Sequence, residues 1–134
     1  MCCGLAARRI IAFVPYDSRI ATPRFLVTDV PGSTALLRGV GDRTYSEILA
    51  PRHGIVRASV VRHGGREEGP PGDSFFTVFT SAIDCAVAAI EIQREVRAHE
   101  WPGDVNLLER MGIHTGEAAT TSTGLVGYDV HRRT

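Results

Sequence analysis

The chain has 134 residues, the length of one small domain and too short for two. Its formal net charge is zero and no basic stripe dominates, so composition gives no electrostatic support for nucleic-acid binding. Three cysteines do not form a disulfide framework, and no apolar run is long enough for a membrane segment. We therefore expect a cytoplasmic protein. All fifteen basic residues are arginine, which excludes any function that needs a lysine side chain.

The N-terminal part of the chain, residues 1–23, shows no clear hydrophobic periodicity. We expect it to be a loosely ordered leader before one domain at residues 24–134. The domain begins with the apolar run Phe25 to Val30, whose continuous character predicts a buried strand. The segment Gly32-Ser33-Thr34 then offers an N-cap, which predicts a helix from Ala35.

Apolar residues at helical spacing continue to about residue 62, with two kinds of interruption. Gly39 and Gly41 interrupt the first part of this helix, and Asp42 can cap a second segment. Pro51 falls inside the second segment and predicts a kink or a division, because proline in an undisturbed helix interior costs about 3 kcal/mol.

The second half of the domain alternates strands with one helix. After the glycine stop at residues 63–65 we expect strands at Arg66–Glu68, Ser74–Phe79 and Asn106–His114, with a helix from a Ser81 cap to about His99. The apolar face of that helix is broad and includes Ala82, Ile83, Cys85, Ala86, Val87, Ala89, Ile90 and Val96. The order β-α-β-β-α-β predicts an α+β, ferredoxin-like sheet with helices on one face. Its first and third strands are antiparallel neighbours, which brings Asp29 beside Asp73.

Each of these two aspartates has an ordinary structural interpretation when it is taken alone. Asp29 caps the turn after the first strand, and Asp73 is a turn residue of the following hairpin. Taken together, two carboxylates held rigidly at strand ends are ligands that hard divalent cations prefer. None of the five histidines forms a pair with the spacing of a zinc site on a helix face.

The sequence around both aspartates resembles the catalytic domain of class III nucleotidyl cyclases, the adenylate and guanylate cyclases. The run from Phe25 to Thr34 resembles the first metal-binding segment of that family. Residues 63–67 and Gly72-Asp73-Ser74-Phe75-Phe76 resemble its second metal segment and hairpin. Further matches follow in order at residues 81–94, 110–117 and 126–132, so the resemblance covers nearly the whole chain.

The resemblance implies two Mg²⁺ or Mn²⁺ ions held by Asp29, Asp73 and the backbone carbonyl of Val30. It implies phosphate binding by Gly32, Ser33 and Thr34. The reaction would convert ATP or GTP, with ATP favoured, to a 3′,5′-cyclic nucleotide and pyrophosphate in signal transduction. Family members are dimers of cyclase domains, so a homodimer or a heterodimer is expected, with no nucleic-acid partner.

The sequence departs from the family pattern at the base-reading position and at its C-terminal end. Adenylate-specific members carry a base-reading lysine where this chain has Gly69, so the base-binding residue is unknown. The chain stops at Thr134, before the asparagine and arginine that stabilise the transition state in the family. We therefore expect a truncated or diverged cyclase domain that retains the metal-binding part. The alternative is a catalytically inactive homologue that acts as a nucleotide-binding, metal-binding or dimerisation module.

A palm-type polymerase or a diguanylate cyclase is a further alternative. The hairpin Gly72-Asp73-Ser74 argues against it, because such sites carry adjacent acidic residues that this segment lacks.

Overall fold

The computed structural model describes residues 22–68, 74–116, 119–121 and 124–126. Within these ranges, two helices pack on a four-stranded sheet, and a two-stranded hairpin follows. The strands are β1 (Arg24–Asp29), β2 (Arg66–Glu68), β3 (Ser74–Phe79), β4 (Arg110–Thr115), β5 (Ala119–Thr121) and β6 (Gly124–Val126). The helices are α1 (Ser33–Arg62) and α2 (Ala82–Ala98), with a short 3₁₀ turn at Pro102–Asp104.

The sheet has the strand order β2-β3-β1-β4, and every neighbouring pair is antiparallel. The prediction of an α+β ferredoxin-like sheet is confirmed, with the first and third strands adjacent at its centre. β4 begins at Arg110, later than the expected Asn106, because residues 105–109 form no regular structure. The hairpin of β5 and β6 was not predicted from the sequence.

The central strands are buried on both faces, which explains the continuous apolar run of β1. On one face Leu26, Phe75 and Phe79 pack against the two helices. On the other face Phe25 stacks on Phe76, with ring centroids 5.3 Å apart, and Val78 joins this cluster. Both faces are apolar except for the buried, hydrogen-bonded hydroxyls of Thr28 and Thr77, so the solvent-facing polar side chains of these strands lie at their ends.

Helix α1 is interrupted once, at Gly41, which has φ 87° and ψ 166°. This confirms the interruption predicted at Gly41, whereas Gly39, the other predicted interruption, stays helical. The backbone stays helical through Pro51, so the helix is not divided there. The helix ends as predicted in a glycine stop, because Gly64 takes a positive φ of 79° and Gly65 donates its N–H to the Val60 carbonyl at 2.8 Å.

Helix α2 begins at the predicted cap, since the Ser81 hydroxyl accepts a hydrogen bond from the Asp84 N–H at 3.1 Å. The assignment of its apolar face is wrong in part. Ile83 is 74% exposed, and Val87 and Ile90 are also exposed. The predicted residues Cys85, Ala89 and Val96 do face the core, and Ala88 and Ile92 join them there. Small side chains here let α2 lie close to the sheet.

The predicted leader lies almost wholly outside the described residues, of which 22 and 23 are the first, so its boundary stays a prediction. Across the ranges that the structure describes, no helix is both long enough and apolar enough to span a bilayer.

Candidate functional site

The predicted metal ligand Asp29 is the last residue of β1 and lies at one end of the sheet. The strand register places Ser74 of β3 opposite Asp29 on one side and Arg110 of β4 on the other. Asp73 immediately precedes Ser74 in the sequence, and both Asp73 and the base-reading position Gly69 lie outside the described residues. The first residues of two strands therefore meet Asp29 at this end.

Arg110 forms a two-pronged ion pair with Asp29. Its Nε donates to Oδ1 at 2.9 Å and its Nη2 donates to Oδ2 at 2.8 Å. The pair faces solvent, with side chains 66% and 30% exposed for Arg110 and Asp29. The hydrogen bond to Asp29, followed by the charge of that carboxylate, raises the pKa of the Arg110 guanidinium. Both oxygens of the predicted metal ligand are thus engaged by this arginine.

A second arginine–carboxylate pair lies directly behind the first and is buried. Arg52 of α1 donates from Nε and Nη2 to the two oxygens of Glu109, at 2.7 and 2.5 Å. The Thr28 hydroxyl donates to the same carboxylate. The side chains of Arg52 and Glu109 are fully shielded from solvent, and the Arg52 guanidinium lies 5.4 Å from the centre of the Phe75 ring.

This buried network fixes the backbone on both sides of the exposed pair. Thr28 immediately precedes Asp29, and Glu109 immediately precedes Arg110. The Glu109 carbonyl also accepts a hydrogen bond from Gln93 Nε2 of α2, at 2.7 Å. Because these neighbours are held by two helices and a strand, Asp29 and Arg110 start from well-defined backbone positions.

Sequence reasoning identified Asp29 but missed Arg110, Arg52 and Glu109. The available signal was the charged dipeptide Glu109-Arg110 inside the otherwise apolar run predicted as the last strand. A charged pair within a strand beside β1 indicates ion pairing. Its partners, however, depend on strand register and on the placement of α1.

The predicted phosphate-binding segment forms the start of α1. Gly32 has φ 68°, in the left-handed region that favours glycine, and its carbonyl accepts the first helical bond from the Leu36 N–H at 2.9 Å. Ser33 and Thr34 lie in the first turn, where backbone N–H groups have no partner within the helix. Such a turn suits an anion in general, and the phosphate role of these three residues stays a prediction.

An open groove of about 580 Å³ runs beside the exposed ion pair, between α2 and the segment that leads into β4. Its walls include Arg110, Arg97, Asn106 and Pro31. Pro31 is the residue before the predicted phosphate-binding segment. The groove therefore connects that segment with Arg110 and adds a second cationic side chain, Arg97.

The donor atoms of Asp29 are of the chemical type that divalent cations prefer, since a carboxylate supplies hard oxygen ligands. Among the residues that the structure describes, however, no group of three or more His, Cys, Asp or Glu side chains could hold a metal ion. Asp29 is therefore a partial donor set in this part of the chain. Val30, whose carbonyl is the other predicted ligand here, is buried with 5% exposure.

Two titratable groups away from this site, Glu91 and Cys85, have pKa values that are shifted by contacts or burial within the fold. Glu91 of α2 accepts hydrogen bonds from Ser59 and pairs with His63 and Arg62, and these contacts, led by Ser59, lower its pKa. Burial raises the pKa of the Cys85 thiol, which keeps it protonated and unreactive.

Comparison with protein-family models gives no match. The chain is similar to the uncharacterized protein Rv0891c of Mycobacterium tuberculosis, with 32% identity over 113 residues. The match takes in 83% of this chain and 37% of that protein, so the chain spans about a third of the curated relative's length.

Solved structures of cyclases superpose closely on this fold. An adenylate cyclase of Trypanosoma brucei in its monomeric state matches with a TM-score of 0.74 at 19% identity, over 85% of this chain and 66% of that one. The guanylyl cyclase domain of the RhoGC fusion protein of Blastocladiella emersonii matches with a TM-score of 0.75 at 15% identity, over 84% and 71%. The chain has the class III cyclase-like fold. The resemblance predicted from the sequence is confirmed at this level, and the site lies in a cyclase-like sheet.

Proposed function

We propose that this chain is the metal-binding part of a nucleotidyl cyclase domain, which converts a purine nucleoside triphosphate to a 3′,5′-cyclic nucleotide and pyrophosphate. The observation that carries the proposal is the register pairing of Asp29 with Ser74 in a cyclase-like fold. Asp73 is joined to Ser74 by a peptide bond, so a carboxylate at each of these neighbouring strand ends is the arrangement that a divalent cation needs.

In this proposal Asp29, Asp73 and the Val30 carbonyl hold Mg²⁺ or Mn²⁺ ions. Bound divalent cations would activate the ribose 3′-hydroxyl and neutralise charge on the phosphates. The N-terminal turn of α1, at Ser33 and Thr34, contributes backbone N–H donors to the triphosphate. The cationic groove wall raises the local concentration of a polyanion beside this turn.

The choice between ATP and GTP depends on the residues that read the purine base. The solved neighbours include both adenylate and guanylyl cyclases, so the fold serves either base. The sequence favours ATP over GTP, yet Gly69 stands where adenylate-specific members carry a lysine. We propose that the chain pairs with a second cyclase domain, in a homodimer or a heterodimer, and that this partner contributes to reading the base where Gly69 cannot.

Nucleotide binding tests the metal-site part of the proposal. Calorimetric titration of the full chain with Mn²⁺ and ATP or GTP should give saturable binding that requires the metal. Asp29→Asn removes the anionic ligand and should weaken this binding by on the order of tenfold or more. Asp84→Asn is the matched control, because α2 begins at the opposite end of β3 from the residue that pairs with Asp29. Equal binding by wild type and the Asp29 variant would refute Asp29 as a ligand.

Complementation tests the catalytic part. The chain is mixed with a cyclase homologue whose own metal-binding aspartates have been replaced, and cyclic nucleotide is measured. Recovered product that disappears with the Asp29 variant supports the enzyme. Metal-dependent binding without product would favour the second candidate, a non-catalytic nucleotide-binding or dimerisation module. That candidate draws its support from Gly69 and from the absence of lysine in the sequence.

A further inference from the structure

The exposed ion pair of Arg110 and Asp29 stands where the proposed function needs a metal. Arg110 bonds to each oxygen of Asp29, at 2.9 and 2.8 Å. A carboxylate has about four lone-pair positions, so the hydrogen bonds alone do not fill it. The obstacle is charge, because a divalent cation coordinated at roughly 2 Å would lie within a few ångströms of a guanidinium cation. The two cations therefore compete for Asp29.

The backbone that carries Arg110 is held rigidly beside Asp29. Arg110 follows Glu109, whose carboxylate is held by Arg52 and Thr28 in the buried network. Since Arg52 neutralises Glu109, the neighbouring Arg110 is left to pair with Asp29. Within the described residues, the two ion pairs at this end of the sheet therefore carry no net charge, which is a weak attraction for a free divalent cation.

The side chain of Arg110 is nevertheless able to leave. It is 66% exposed, whereas the side chain of Arg52 is completely buried. Arg110 also lines the open groove of about 580 Å³, which offers space for its side chain to move away from Asp29. Exposed arginine–carboxylate pairs are worth at most about 1 kcal/mol and exchange with water. The ion pair is thus strong enough to compete with a metal and weak enough to open.

We propose that Arg110 is a resident competitor for the metal site: it occupies Asp29 when no divalent cation is bound and thereby sets the metal affinity of this end of the sheet. The inference rests on the proposed function, because it takes Asp29 as a metal ligand. Its distinct content is that removing Arg110 tightens metal binding, whereas removing an ordinary site residue weakens it.

The experiment measures Mn²⁺ binding to the full chain without nucleotide, by calorimetry and by the electron paramagnetic resonance signal of free Mn²⁺. Arg110→Gln should tighten binding by on the order of fivefold, the factor that corresponds to an exposed ion pair. Arg110→Lys keeps the positive charge but loses the fork that engages both oxygens, so it should give a smaller tightening. Circular dichroism and thermal melts establish that each variant is folded.

The matched control is Arg57→Gln, which breaks the other exposed fork, between Arg57 and Glu67 at 2.9 and 3.3 Å. It removes the same charge and frees a carboxylate away from Asp29. Mn²⁺ affinity should stay within about twofold of wild type in this variant, since exposed charges beyond a Debye length are screened. The double variant Asp29→Asn with Arg110→Gln should lose the tighter Mn²⁺ binding that Arg110→Gln produces alone.

Each outcome has one meaning. Tighter binding in the Arg110 variants that depends on Asp29 supports the competitor role, even where wild type binds too weakly to measure. Asp29-dependent binding in wild type that Arg110→Gln leaves unchanged or weakens overturns the competitor role alone. Equal tightening of Mn²⁺ binding by the Arg57 and Arg110 variants would mean that only net charge matters, and this outcome also overturns the competitor role. A folded Arg110→Gln chain without Asp29-dependent binding overturns both this inference and the metal site.

Discussion

Two arginine–carboxylate forks lie one residue apart at the same end of the sheet, and they differ in burial. The pair of Arg52 and Glu109 is shielded from solvent and shares its carboxylate with Thr28. The pair of Arg110 and Asp29 has similar hydrogen-bond lengths but faces water. The same chemistry therefore has two roles: the buried fork holds the backbone, and the exposed fork is exchangeable.

Because of this difference in burial, breaking the two pairs should cost very different amounts of stability. Breaking a buried pair leaves a desolvated charge without compensation, whereas an exposed charge is resolvated at once. The buried fork is also incompletely satisfied, since Arg52 Nη1 has no hydrogen-bond partner among the described residues. The Phe75 ring, 5.4 Å from the guanidinium, offsets part of that loss. Function is accordingly expected at the exposed fork.

The largest expected effect comes from the buried fork. Arg52→Met leaves the buried Glu109 without its cationic partner, and should lower the free energy of unfolding by about 3 to 5 kcal/mol. The double variant Arg52→Met with Glu109→Leu removes both charges and should recover most of that loss. Urea denaturation at neutral pH measures both values.

The exposed fork of Arg57 and Glu67 gives the matched comparison for that prediction. Arg57→Met should change the free energy of unfolding by less than about 1 kcal/mol. A loss for Arg52→Met as small as that for Arg57→Met would mean that burial does not separate the two kinds of fork.

An intermediate effect is expected where the buried fork meets β1. Thr28→Val keeps the shape of the side chain but removes the hydroxyl that donates to Glu109. The lost hydrogen bond should lower the free energy of unfolding by about 1 to 3 kcal/mol. If the buried network positions the exposed fork, the same variant also changes Mn²⁺ affinity, and calorimetry measures this. Thr34→Val, an exposed change on α1, is the control for stability.

The smallest expected effect is the pH dependence of a partly buried cluster around Glu91. The contacts of Glu91, led by the Ser59 hydroxyl, lower its pKa below the ordinary value of 4.5. A depressed carboxyl pKa stabilises the folded state above the unfolded value, and that stabilisation is lost as pH falls through the folded value. Denaturation midpoints measured from about pH 6 to about pH 3 should therefore fall less steeply for Glu91→Gln than for wild type. A Glu100→Gln control should keep the wild-type slope, and equal slopes for all three proteins would contradict the assignment.

The sequence predicted the fold well where local patterns and topology agree. Continuous apolar runs marked β1 and β3, and Ser81 and Gly64 marked helix ends, because capping and glycine conformation are local properties. The order of elements then predicted that β1 and β3 are adjacent. The division expected at Pro51 and the burial of Ile83 were wrong, because tertiary packing overrides local propensity and decides which helix face meets the sheet.

The sequence alone determined the cyclase-like fold and singled out Asp29 as a candidate ligand, since both follow from the order of short motifs. Tertiary structure alone decided that Arg110 occupies Asp29 and that Arg52 lies buried behind it. Those contacts join residues 81 and 57 positions apart, and they depend on strand register and helix placement. Ion-pair partners over such distances are set by packing, because nothing in the local sequence distinguishes an arginine that will be buried from one that will face water.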